Sequence, residues 1–274
     1  MSCGITNLGT CLVEKFFSFV ANILNMPVRP LLTMINNLMI EPVNISIFSG
    51  TWAIIIYILS LFYGIFLLII GFKFMLSGHS PEKRDKAKRS LANILIMMVL
   101  IQLSFFLYSL SLDVVSSLTS VIYNLIPTDF FLVTSDNFTN LGLELVLIFP
   151  YVMTLVLTLI FLALRYICVG IGVIFFAIGI FFYFIEPLES YGKLILNHLG
   201  VLISLPFVYA IILLASSKFI ELDIFSNMKV LLMIGGFSLV NLVTLFLLLF
   251  VIFKSANAIA KPVGQVATIV SAVA

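Results

Sequence analysis

Charge is what this sequence has least of. Its 274 residues include 14 Lys/Arg and 12 Asp/Glu, 9% of the chain, while 62% of the residues are apolar. A soluble domain carries roughly a quarter charged residues and under half apolar ones, so this chain has too little polar surface to coat a globule. The same shortage excludes an intrinsically disordered chain and a nucleic-acid-binding domain clothed in Lys and Arg. Three cysteines are too few for a disulfide-stapled secreted scaffold. The two histidines, His79 and His198, have no Cys, His or acidic neighbours at metal-ligand spacing, so no metal site is expected. No G-x-S-x-G, H-E-x-x-H, paired-Asp or P-loop pattern occurs. Catalysis inside a bilayer needs ionisable groups there, where each charge costs roughly 2.5 to 3.5 kcal/mol on insertion scales. The apolar runs hold almost none, so the expectation is a protein that is not an enzyme and carries no cofactor.

What is present is a series of long apolar runs. A helix needs about 20 apolar residues to cross about 30 Å of hydrocarbon, and barrel strands would alternate instead of running continuously apolar. The runs cover 51–76, 91–110, 145–164, 166–185, 194–216 and 230–253, and the helical pattern of the second continues to about Leu125, ahead of Pro127. The fold class expected is an all-α integral membrane protein with about six transmembrane helices. Between 145 and 185 only Arg165 interrupts the apolar run. One helix of that length would be about twice the hydrocarbon thickness, so a tight hairpin at Arg165, a cation at the boundary of two spans, is expected.

Before the first span, residues 12–25 place Glu14, Lys15, Ser18, Asn22 and Asn25 on one helical face and Phe16, Phe17, Phe19, Val20, Ile23 and Leu24 on the rest. Pro27 and Pro30 should break this helix, and a second short one, 31–40, carries Thr33, Asn36 and Asn37. Residues 1–50 therefore read as an amphipathic interfacial segment, 51–253 as the transmembrane domain, and 254–274, rich in Ala, Ser and Val, as a loosely ordered tail. A secretory signal peptide fits less well, because the basic n-region is missing and two prolines interrupt the apolar stretch.

The placement of the few charges orients the chain. Lys83, Arg84, Lys86, Lys88 and Arg89 crowd into one loop, 77–90, whereas the next loop, 127–144, holds Asp129, Asp136 and Glu144 and no cation. The positive-inside rule makes the first loop cytoplasmic and puts the second loop and the N-terminus outside, in a multi-pass plasma (inner) membrane protein. Trp52, the single tryptophan, then falls at the outer end of span one. The two N-x-S/T sequons, at Asn44 and Asn137, also fall outside.

Three groups of residues are candidates for function. Gln102, Ser109, Asp113, Ser116, Ser120 and Asn124 are separated by 7, 4, 3, 4 and 4 residues, which stacks them on one face of a single helix. They read either as the lining of a conduit or as the solvated face of a helix that has left the hydrocarbon. The five loop cations read either as a topology determinant at a helix start marked by Ser80-Pro81-Glu82, or as a docking patch for acidic lipid head groups, a cytoplasmic ATPase or a nucleic acid. Cys3 and Cys11, both on the outer side, read either as a disulfide or as free thiols.

Three stretches together carry a resemblance. They are GFKFMLSGHSPEKRDKAKRSLANILIMMVL (Gly71 to Leu100), LRYICVGIGVIFFAIGIFFYFIEPLESYGKLILNHL (Leu164 to Leu199) and LPFVYAIILLASS (Leu205 to Ser217). A span ending in a basic linker that opens the next helix, an Arg opening an apolar span before a Pro-containing linker and a Tyr-Gly, and a span with an internal proline are in the order found in one family. The chain resembles, over residues 50 to 255, the TrbL-like polytopic inner-membrane channel subunit of type IV secretion and conjugation systems, and its archaeal relatives in Ced-type DNA-import machines. Bacterial members tend to carry proline in the span after the Arg, where this chain has Ala177 and Gly179. The resemblance implies a non-enzymatic membrane subunit that helps form a translocation path for DNA or protein. It also implies a homo-oligomer, or a hetero-complex with pilin-like subunits and a cytoplasmic secretion ATPase, with membrane lipids around it and DNA as a cargo. Read without it, the chain is equally compatible with a secondary transporter or small-solute channel, or with a structural subunit of another membrane complex.

Overall fold

The six apolar runs fold into five α-helices, preceded by a sixth formed from residues 8–40, in a computed structural model that describes residues 8–76, 81–133, 141–222, 225 and 228–273. These are α1 (Leu8–Ile40), α2 (Ser49–Leu76), α3 (Pro81–Tyr123), α4 (Leu141–Tyr183), α5 (Glu189–Phe219) and α6 (Lys229–Val273). Short 3-10 turns at Ser46–Phe48, Thr128–Phe131 and Glu186–Leu188 connect some of them. No strand occurs among the described residues. The protein is an all-α membrane protein, and among the described residues five helices, α2 to α6, are long and apolar enough to cross a bilayer.

Local chemistry accounts for the helix ends that the sequence marks. α3 starts with Pro81 in its first turn and Glu82 beside it, where a missing N–H costs nothing and a negative charge meets the positive end of the helix dipole. Ser80, the expected cap, lies outside the described residues. α3 stops at Tyr123, and the amides of Asn124, Leu125 and Ile126 close the last turns before Pro127.

Three expectations are corrected. The hairpin at Arg165 does not form, because α4 runs unbroken through it for 43 residues, about 64 Å at 1.5 Å per residue. Nothing between Leu162 and Val169 offers the backbone an alternative to its own i to i−4 bonds, and thickness alone does not break a helix. Pro27 and Pro30 do not break α1, which carries both inside one 33-residue helix. Residues 254–273 are helical where a loosely ordered tail was expected, since α6 continues through Pro262 to Val273.

The helices divide into two compact units that interleave along the sequence. Unit 1 comprises Met1–Pro42, Val115–Arg165 and Ser204–Leu247, and unit 2 comprises Val43–Val114, Tyr166–Ile203 and Leu248–Ala274.

Unit 2 has a dry core. Ile56 and Leu59 of α2, Met97 and Ile101 of α3, and Ala177, Ile180 and Phe181 of α4 pack together, with Tyr63 and Phe66 against them. On α2 the positions 56, 59, 63, 66 and 70 recur every three or four residues, so one stripe faces the core, while Leu61, Leu68 and Phe72 remain exposed as lipid-facing side chains would be. Trp52, expected as an interfacial ring, donates its Nε1–H to Ser104 Oγ at 2.9 Å and tilts against Phe105 at 5.3 Å between centroids. Tyr108 donates its hydroxyl to the Val169 carbonyl at 2.6 Å. That contact depends on Gly172, since any Cβ there would collide with the Tyr108 hydroxyl.

Unit 1 is stitched by side-chain hydrogen bonds. Asn25 of α1 is buried and uses both arms of its amide on one residue, donating to the Val133 carbonyl at 2.8 Å and accepting from the Val133 N–H at 3.1 Å. The chain after α3 is thereby folded in, with Ile126, Phe130, Phe131 and Val133 buried. Phe131 stacks on Tyr123 at 5.9 Å, and its carbonyl accepts from the Tyr151 hydroxyl at 2.9 Å. Ser216 lies where Gly236 brings α6 close to α5: a Cβ on Gly236 would sit 2.8 Å from Ser216 Oγ.

Candidate functional site

The buried face of α4 reads Tyr151, Leu155, Thr158, Leu162, Arg165, Val169, Val173, Ala177 and Ile180, at steps of three or four residues. Helical spacing therefore aims Arg165 inward, and it is only 7% exposed. It belongs to unit 1, as does Tyr209 of α5. Tyr209 shares a short hydrogen bond with Thr244 of α6, whose hydroxyl donates to the Val240 carbonyl at 2.8 Å. One helical turn away, Asn241 accepts from the Thr158 hydroxyl at 2.9 Å and donates to the Thr154 carbonyl at 3.2 Å. Two separate hydrogen-bonded contacts thus join α6 to its neighbours inside unit 1, Asn241 to Thr158 and Thr154 of α4 and Thr244 to Tyr209 of α5. Buried hydrogen bonds of this kind between membrane helices hold one register of packing in place.

Sequence reasoning placed Arg165 at a turn and did not single out Thr154, Thr158, Tyr209, Asn241 or Thr244. The available signal was spacing. Thr154 and Thr158 are four apart, Asn241 and Thr244 three apart, and Arg165 continues the same stripe once the helix is taken as unbroken.

The proposed conduit face of α3 is distributed as follows. Gln102, Asp113 and Asn124 are exposed, and Ser109, Ser116 and Ser120 are half-buried. Ser116 donates to the Ile40 carbonyl, one of the last carbonyls of α1 that lack an intrahelical partner. Asn124 donates to Ser120 Oγ at 3.4 Å within the same stretch. The inward face of α3 is instead Met97, Ile101, Ser104, Tyr108 and Leu112.

The five cations expected in a loop lie in the first turns of α3 and separate into two sets. Lys83, Lys86 and Arg89, joined by Lys73 from the last turn of α2 and by Glu186, line a cavity of about 710 Å³ in unit 2. Arg84 and Lys88 do not line it. The 3-10 turn at Glu186–Leu188 therefore lies at the same end of unit 2 as the start of α3, not at the opposite end as two spans between 145 and 185 would require. A smaller apolar cavity of about 340 Å³ in the same unit is bordered by Cys168, a free thiol, and by His198, whose Nδ1 is buried without a hydrogen-bond partner.

Cys3 and the side chain of Cys11 lie outside the described residues, as do His79 and the sequon at Asn137. Asn44 of the other sequon is exposed, and its Oδ1 accepts from the Ser46 amide at 3.1 Å. Among the described residues no cluster of His, Cys, Asp or Glu could hold a metal ion.

Comparison of the chain with protein-family models, with curated proteins and with solved structures finds no match.

Proposed function

We propose that the chain is a non-enzymatic, multi-pass membrane subunit that forms or scaffolds the translocation path of a type IV secretion-like machine for DNA or protein transfer, or of a DNA-import machine. Support comes from the order of parts described above and from one structural observation, the apolar surface of α3. That helix has 43 residues, and about 20 of them suffice for the hydrocarbon after the last loop cation, Arg89. Beyond that length Val114, Leu118 and Val121 remain exposed at steps of four and three, followed by Leu125. Lipid tails cover about 30 Å, and an apolar stripe that runs past them calls for another protein chain. The subunit therefore works as part of an assembly, as a homo-oligomer or with pilin-like subunits and a cytoplasmic ATPase.

The proposal places loop 77–90 in the cytoplasm and the N-terminus outside. With α4 counted as a single crossing, Lys73, Lys83, Arg84, Lys86, Lys88, Arg89, Lys193, Lys254 and Lys261 share the inner side, against Lys15, Arg29, Lys218 and Lys229 outside. That bias favours this orientation.

Cross-linking in native membranes, followed by purification and mass spectrometry, tests the reading. The expected result is covalent capture of further copies of the chain, of a two-span pilin-like protein and of a secretion-type ATPase. A chain that is recovered alone and that moves a small solute across liposomes would replace it with the transporter reading.

A further inference from the structure

The basic cavity of unit 2 opens onto a second space. A cleft of about 250 Å³ shares Lys73, Ser90, Asn93 and Glu186 with it and continues between apolar walls that include Phe66, Ile70, Met97 and Phe184. The order of charge and apolarity follows the helices. α2 ends near Lys73 and α3 begins near Lys83, so both helices leave this end in the same direction away from the charges. Phe66 lies seven residues back from Lys73, and Met97 eight residues on from Arg89, roughly 10 to 12 Å deeper at 1.5 Å per residue. A charged rim thus stands above an apolar slot, at the membrane-water boundary set by the end of an apolar helix.

We propose that this composite cavity is a binding site for one anionic phospholipid. Its phosphate sits among Lys73, Lys83, Lys86 and Arg89, and an acyl chain enters the slot below. All four cations are exposed, and none is ion-paired among the described residues. Four cations against the single carboxylate of Glu186 leave a net positive rim, and Glu186 is placed to accept a hydrogen bond from a head-group hydroxyl. Basic pockets between membrane helices on the cytoplasmic side suit acidic head groups. A nucleic acid could use the rim but has no aliphatic part for the slot, and a cytoplasmic protein would have to push an apolar side chain roughly 10 to 12 Å past the charges, where a lipid's acyl chain already lies. The slot decides for an amphiphile. This inference rests on unit 2 alone and holds whether or not the chain belongs to a secretion machine.

The test uses the full-length protein, delipidated in detergent, with bound lipid counted by native mass spectrometry. Phosphatidylglycerol should bind at least about tenfold more tightly than phosphatidylcholine of the same chain length, and inorganic phosphate or soluble glycerophosphoglycerol should not displace it at comparable concentration. The double variant Lys83→Gln, Lys86→Gln should lose about tenfold in affinity, whereas Arg84→Gln, Lys88→Gln, equal in charge removed and on the same helix, should lose less than about twofold. Equal losses from the two pairs would show diffuse attraction to a basic helix and overturn the site. Displacement of the lipid by free phosphate, or by a single-stranded DNA oligonucleotide at comparable concentration, would overturn the assignment to an amphiphile. Both pairs of substitutions are on exposed side chains, and the comparison of lipids needs only the unaltered chain.

Discussion

Unit 1 and unit 2 hold apolar helices together by different chemistry. In unit 2 the core between α2, α3 and α4 is apolar, made by Ile56, Leu59, Met97, Ile101, Ala177, Ile180 and Phe181, with glycines such as Gly172 admitting close neighbours. Beside it are single bonds from Trp52 to Ser104 and from Tyr108 to the Val169 carbonyl. In unit 1 the contacts carry hydrogen bonds, from Asn25 to Val133, between Asn241 and both Thr154 and Thr158, and between Tyr209 and Thr244. The difference follows from the solvent. Lipid tails are as apolar as Leu, so burying one helix face against another gains little from the hydrophobic effect, and close packing or hydrogen bonds must supply the preference. Dry packing tolerates small slides between helices, whereas a bonded amide does not. Unit 1 thus leans more on paired, directional bonds and unit 2 more on shape, and unit 2 gathers Lys73, Lys83, Lys86 and Arg89 around one cavity.

The contrast can be broken by substitution, with unfolding followed in detergent micelles. The largest effect is expected from Asn25→Leu in unit 1, which keeps the branched shape but leaves the Val133 N–H and carbonyl buried without partners, a loss of about 3 kcal/mol. Next is Gly192→Ala in unit 2, where the added Cβ meets the backbone of Tyr183, which cannot rotate away. A loss of about 2 kcal/mol is expected there, since overpacking forces the helix ends apart. Asn241→Leu in unit 1 should cost about 1 kcal/mol through the lost bonds with Thr158 and Thr154. Met97→Leu, a volume-conserving change at a fully buried position of unit 2, should cost about 0.5 kcal/mol or less. If Asn241→Leu were neutral and Met97→Leu the more costly of the two, the division into a bonded and a dry unit would not stand.

Much of the helical content was legible because apolar runs of this length in a lipid solvent have few alternatives. The start of α3 at Pro81-Glu82 and its end before Pro127 were readable from local chemistry alone. What misled was the use of bilayer thickness as a helix-breaking signal. A helix is held by bonds four residues apart, and residues 160 to 170 contain nothing that competes with those bonds, so α4 continues and carries Arg165 inward. Pro27 and Pro30 misled in the opposite sense, because a proline removes one bond of a helix without ending it when the rest of the helix is packed; Ala21, Asn25, Val28, Ile35 and Met39 of α1 are all buried. The candidate sites were less legible. Asn25 read as part of an outer polar stripe and proved to be an inward anchor, since an amide suits either place and only the partner decides. Lys73 lies in the last turn of α2, and its place beside Lys83 and Lys86 depends on how α2 and α3 meet, which no local spacing encodes.

The most direct test of the account is the sidedness of the two connections that border the basic cavity. In a chain freed of Cys3, Cys11 and Cys168, single cysteines at Lys88 and at Glu189 would be exposed to a membrane-impermeant thiol reagent in intact cells. With α4 as one crossing, both positions should be protected until the membrane is permeabilised and then label together. Labelling of the Glu189 position in intact cells while the Lys88 position stays protected would restore a hairpin at Arg165. It would also contradict the cavity, the topology and the lipid site at once.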